Sequence, residues 1–332
     1  MASVKKQLPQ GRLGRQVMKK IVVIGEILVE IMADTIGPGF DAPQALTGPF
    51  PSGAPAIFAD QAARLGQPVG IVSAVGDDDF GRINLARLKS DGVDISAVRI
   101  DPDRPTGSAF VRYRPDGSRD FVFNIRHSAC GNLNRTRAMD AMLDAADHLH
   151  VMGSSLVSPE FVTLNLHTAK AVKARGGTVS FDPNLRKEML AAPGMADAMT
   201  RLVALTDLFL PSGNELTLLT RAKDERGAIS ELLGQGMTAI VHKNGAAGAR
   251  YHDATDSLSV ASFPVDELDP TGAGDCFGAA FTALWLRGTA PSEALRIAAA
   301  AGALAVSHRG PMEGAADLAT ITRFIARTTR VS

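Results

Sequence analysis

The chain has 332 residues, 45% hydrophobic and 21% charged, enough apolar material for one large core or one domain with an appendage. Thirty-five lysines and arginines balance 35 aspartates and glutamates, so no bulk charge recruits nucleic acid or an anionic membrane. Two cysteines, Cys130 and Cys276, make no disulfide framework, which suits a cytoplasmic enzyme, and no apolar run approaches the ~20 residues of a membrane span.

Residues 1–17 are basic, lack an apolar stretch and read as a disordered leader rather than a secretory signal. Strand-length aliphatic runs follow at 20–25, 69–76, 148–153, 178–184, 208–212 and 238–245. Helical patterns lie between them at about 55–65, 80–90, 135–146, 159–175, 195–205 and 226–234. Continuous apolar strands alternating with helices predict an α/β fold, a doubly wound and mainly parallel sheet with helices on both faces. Ligands of such folds sit outside the carboxyl ends of the strands. Two segments, 27–34 and 106–126, instead alternate around turn residues and predict a small antiparallel β lid. Its exposed edges invite a homodimer. His148 and His150 lack companions for a metal and read as strand alternation. Asp77, Asp78 and Asp79 read as a turn into a helix N-terminus.

The stretch "LDPTGAGDCFGAAF" from Leu268 to Phe281 carries the chemistry. Gly272, Ala273 and Gly274 open a long apolar helix, and backbone N–H groups at such a start cradle a phosphoryl group in transfer. Asp275, at the same point, is placed to accept the proton of an attacking hydroxyl, or it simply caps the helix. A dinucleotide fingerprint needs a preceding strand within a βαβ unit, which "VDELDPT" does not supply. A Walker A loop is excluded because no Gly-Lys-Ser/Thr occurs.

These residues resemble the ribokinase-like (PfkB) carbohydrate kinases. "DPTGAGDCFGAAF" looks like their second signature, and "PSGAPAIFADQAARLG" with "VGDDDFG" resembles the first. "FDPNLR", "LPSGNEL" and "HKNGAAGA" match further blocks in order, so the resemblance covers nearly all of 18–332 as one kinase domain. "RGPMEGA" and "DPNLR" look closest to the 2-keto-3-deoxygluconate, fructose and tagatose kinase branch.

The resemblance implies an ATP- and Mg²⁺-dependent sugar kinase, with Asp275 as base and Gly272, Ala273 and Gly274 as anion hole. It places Lys243, Gly245 and Gly248 at ATP, although a tight strand connection also explains the glycines. Ser212 and Glu215 match an element that organises Mg²⁺ and phosphate, while Glu215 alone reads equally as a solvated helix charge. Asp269 and Thr271 occupy positions that bind a monovalent cation such as K⁺ in some relatives. Gly53, Arg126 and Arg186 fall at the family's sugar pocket, with a surface ion pair as the alternative for Arg126.

Three departures touch that pocket: Glu30 replaces a common aspartate, Ser52 a glycine and Ile57 an asparagine. Asn124 stands near the lid arginine where the keto-deoxy acid kinases place tyrosines. An amide there, with Glu30 nearby, favours neutral hydroxyls over a carboxylate, hence a ketohexose such as tagatose or fructose. The alternatives are 2-keto-3-deoxygluconate, a nucleoside acceptor disfavoured by two tyrosines and one tryptophan, or a silent sugar sensor.

Overall fold

A computed structural model describes residues 18–37, 39–116, 118–156, 158–185 and 194–328; the leader at 1–17 and Arg186 lie outside them. The strands are β1 (Ile21–Ile24), β2 (Leu28–Ala33), β3 (Leu46–Ser52), β4 (Val69–Gly76), β5 (Val98–Asp101), β6 (Gly107–Tyr113), β7 (Arg119–Asn124), β8 (His148–Met152), β9 (Thr178–Asp182), β10 (Leu208–Phe209), β11 (Ala239–Lys243), β12 (Ala249–His252) and β13 (Ser257–Val260). Nine of them form one sheet in the order β13-β12-β11-β10-β9-β8-β1-β4-β5. Pairing is parallel from β11 to β5, and the β12–β13 hairpin extends it antiparallel.

Strand β1 shows why the apolar runs are continuous. Its residues are all fully buried, with Val22 and Ile24 in the core on one face and Ile21 and Val23 in the core on the other. A strand covered by helices on both sides has no polar face to display. The chain leaves β1 toward β4 on one side and later returns to place β8 on the other. That reversal opens a crevice at the carboxyl ends of β1 and β8.

Helix starts follow local chemistry. Asp78 accepts from Gly81 N at 2.7 Å and Asp224 from Gly227 N at 2.7 Å, each capping its helix. The aspartate run at 77–79 is thus a capped turn. His148 and His150 are fully buried against Thr178 and Ser180, and no metal-holding cluster of His, Cys, Asp and Glu occurs among the described residues.

The second sheet has the order β3-β2-β6-β7. Its outer pairs, β2–β3 and β6–β7, are antiparallel hairpins, and its central pair, β2–β6, is parallel. This sheet stands over the crevice.

Candidate active site

The helix Ala273–Leu286 begins without a side-chain cap. Gly272 turns the chain at φ 82°, and a Cβ there would lie 2.4 Å from Pro311 O, so the position admits only glycine. The first-turn N–H groups of Ala273, Gly274 and Asp275 have no carbonyl to bond within the helix. They carry the positive end of its dipole.

Two cavities meet at this helix start. One, of about 480 Å³, lies under the small sheet and is lined by Glu26, Glu30, Gly53, Phe121, Phe123, Arg126, Ser154, Asp182, Thr271 and Asp275 among others. The other, of about 750 Å³, runs between Gly245, Gly248, Phe263, Val265, Ala273, Phe277, Ala299 and Val306. Arg119, Ser212, Lys243, Pro270 and Gly274 line both. The second cavity is an apolar slot bounded by small residues, the shape that accepts a flat heterocycle. Gly248 at its edge has φ 88°, and a Cβ would lie 2.0 Å from Val260 O.

The carboxyl edge of the large sheet supplies the charged wall: Glu26 follows β1, Ser154 follows β8, Asp182 ends β9, Ser212 follows β10 and Lys243 ends β11. Lys243 and Asp182 form a buried ion pair. Glu215 is buried, and its two oxygens accept from Leu185 N at 2.6 Å and Ser212 N at 2.7 Å, which fixes the β10 loop against β9. Burial and the charge of Asp182 raise the proton affinity of Glu215. Asp275 is pushed up to about 8, first by burial and then by Asp182, against the pull of Lys243. Carboxylates outnumber cationic side chains along this wall, an arrangement suited to a divalent cation.

At the other end, Glu30 is buried and pushed up to about 7, by burial first and then by Asp269. It accepts from Thr271 Oγ1 at 3.2 Å and from Ser52 Oγ at 3.4 Å. Glu26 accepts from Ser154 Oγ at 3.2 Å and Ser155 Oγ at 2.5 Å. Gly53 turns at φ 109°, where a Cβ would meet Glu26 O at 2.5 Å.

The structure therefore brings Glu30, Gly53, Arg126, Ser212, Glu215, Lys243, Thr271, Gly272, Gly274 and Asp275 to the first cavity, and Gly245, Gly248 and Ala273 to the second. It does not bring Asn124. Alternation along β7 turns Phe121 and Phe123 inward, whereas Asn124 lies beside Ser108 in a neighbouring pocket. Asp269 lines neither cavity; it is fully buried and accepts from Tyr113 Oη at 2.7 Å, Thr271 N at 2.9 Å and Gly310 N at 3.0 Å. Glu26, Asp182, Arg119, Phe121 and Phe123 are among the lining residues that sequence reasoning passed over. A glutamate closing an apolar strand, as in "VVIGE", was the available signal for Glu26.

A crevice at the switch point of a parallel sheet, with an uncapped glycine-rich helix start and a buried carboxylate between two cavities, defines a phosphotransferase for a small molecule. The sequence pattern of the pfkB family carbohydrate kinases matches residues 18–317, and the chain belongs to that family. It is an ATP-dependent kinase acting on a sugar hydroxyl. Fructokinase-2 of Zea mays is 30% identical, covering 92% of this chain and 94% of its own. The 2-dehydro-3-deoxygluconokinase of Thermoproteus tenax is 31% identical over 92% and 93%. An Escherichia coli protein provisionally named ribokinase II, solved with ATP and Mg²⁺, superposes with a TM-score of 0.89 at 49% identity, covering 93% of this chain and all of that one. A Vibrio cholerae fructokinase variant solved with fructose, ADP and potassium gives 0.77 at 26% identity, over 92% and 98%.

Proposed function

We propose that the sugar is a neutral ketohexose, fructose or tagatose in kind, phosphorylated on a terminal primary hydroxyl. The observation that carries this reading is the pair of buried carboxylates, Glu26 and Glu30, on the wall of the cavity under the small sheet. A carboxyl group accepts bonds from hydroxyls in either protonation state, and in its ionised form it repels a substrate carboxylate. Asn124, which stands outside the cavity, adds nothing to it. The second reading, a keto-deoxy acid, is favoured by Arg126 on the cavity wall and by the equal likeness to both classes of relative.

In this reading the sugar lies in the first cavity, with Gly53 letting it approach the backbone. The nucleotide lies in the second, held by Gly245, Gly248 and the apolar slot, with Lys243 and Ser212 at the shared wall. Asp275 takes the proton of the attacking hydroxyl, and the N–H groups of Gly272, Ala273 and Gly274 hold the phosphoryl oxygens. Mg²⁺, when bound with the nucleotide, neutralises charge on those oxygens, and Glu215 orders the loop facing it. Asp269 and Thr271 are assigned to a monovalent cation, supported by the complete burial of the Asp269 carboxylate. Exchange of potassium for sodium in the assay checks that assignment.

Two buried free cysteines suit a reducing compartment, and the reading places the enzyme in the cytoplasm. No helix among the described residues is long and apolar enough to cross a membrane. A homodimer through the small sheet is supported by its exposed Leu46 and Val122.

The substrate is tested by kcat/KM for tagatose, fructose and 2-keto-3-deoxygluconate with ATP. The reading expects a ketohexose to lead. A tenfold preference for the keto-deoxy acid, about 1.4 kcal/mol of transition-state binding, overturns it and leaves the kinase standing.

A further inference from the structure

Arg119 is the one arginine among the described residues that lines both cavities. It begins β7, directly opposite Tyr113 on β6. Both side chains reach down to the segment that leads into the anion-binding helix. Arg119 Nη1 donates to Thr271 Oγ1 at 2.7 Å, and Tyr113 Oη donates to Asp269 Oδ1 at 2.7 Å. The guanidinium also lies 5.6 Å from the centre of the Phe121 ring, a cation–π contact. Among the described residues no carboxylate forms an ion pair with it, in contrast to Lys243, whose charge is committed to Asp182. A guanidinium held by one hydroxyl and one ring keeps most of its donors for a visitor.

We propose that Arg119 is a further catalytic residue, carried by the small sheet, whose guanidinium bridges the two cavities and stabilises the phosphoryl group as it passes between them. In the step, the sugar oxygen forms a bond to the γ-phosphorus while the bond from that phosphorus to the β–γ bridging oxygen breaks. The electron pair leaves on ADP and the hydroxyl proton goes to Asp275. Arg119 stays protonated throughout and gives hydrogen bonds to equatorial and bridging oxygens, where negative charge gathers. The inference rests on the kinase reading of the same site.

The test compares wild type, Arg119→Gln and Arg119→Lys by ADP formation at saturating ATP and varied sugar. Removing a transition-state donor of this kind costs roughly 10²–10³ in kcat. Arg119→Gln is expected to lose about that factor in kcat with KM for sugar within a few-fold. Arg119→Lys is expected to recover part of the loss, and added guanidinium to restore part of the Arg119→Gln rate. Circular dichroism and melting temperature of the Lys variant establish that the fold is kept. A kcat within threefold of wild type for Arg119→Gln overturns the proposal. So does a defect confined to KM for sugar, which makes Arg119 a binding side chain. Wild type forming no ADP with any sugar sinks the kinase reading itself, and this inference with it.

Discussion

Asp275 is held in the first turn of its helix, buried beside Asp182 and Lys243. Its substitution by Asn keeps the shape and removes the proposed base. A general base contributes about 10²–10⁴ in rate, so Asp275→Asn should lose that much kcat while ATP binding, measured by calorimetry, stays near wild type. Turnover within a few-fold of wild type would contradict the assignment. The pH dependence follows from the same residue. With its carboxyl pushed up to about 8, Asp275 is largely protonated at neutral pH in the free enzyme and ionises as pH rises. With ATP held well below its KM, the profile of kcat/KM for the sugar should therefore climb through neutrality and level off above about pH 8, since the ratio then reports the free enzyme. A flat profile from pH 6 to 9 is the contrary result.

Elements place these residues, and they differ in how legible they are. The buried parallel strands announce themselves because both faces are apolar; β4 spans Val69–Gly76 as read from the chain. Strand β3 does not, because "LTGPFPS" carries two prolines and a glycine. It is an edge strand of the small sheet, where missing N–H donors cost no ladder bond. The β12–β13 hairpin is masked in the same way by its polar, half-exposed alternation. At the site, the helix start at Gly272–Asp275 is legible because its parts are adjacent in sequence. Glu26, Arg119 and Asp182 are not, because only the sheet order and the overhanging lid bring them together. Gly248 offers a test at this scale. Its φ of 88° and the 2.0 Å approach to Val260 O mean that Gly248→Ala must move the β11–β12 connection. Strain of this kind costs about 1–3 kcal/mol, visible in urea unfolding, and KM for ATP should rise while KM for sugar stays put. An unchanged KM for ATP would detach Gly248 from the nucleotide slot.

The whole molecule bears a cost for burying carboxylates, in its crevice and away from it. Asp60, fully buried on the helix Ala54–Arg64 that leads away from Gly53, has Oδ2 3.5 Å from both Arg64 and Arg87. Burial first, then a hydrogen bond with Asp91, pushes it up to about 7. In the unfolded chain an aspartate ionises near 4. Between those values the unfolded state loses its proton and the folded state keeps it, so this group's contribution to stability falls as pH rises from about 4 to 7 and is level above. The amide introduced by Asp60→Asn keeps a donor toward Asp91 and does not titrate. The melting temperature of Asp60→Asn relative to wild type should thus grow across that window, and a difference independent of pH would contradict the account. Glu30 and Asp275 push stability the same way, a cost that the proposed chemistry accounts for. The two cavities share one wall, as a reaction between groups held in both requires. The most direct test is ADP formation by the wild-type protein with Mg²⁺ and ATP, without sugar and then with saturating fructose or tagatose. The account predicts a slow basal rate, a rise of several orders of magnitude with the sugar, and one phosphosugar formed per ADP. ADP formation that ignores the sugar, or ATP binding without turnover on any of them, would contradict it.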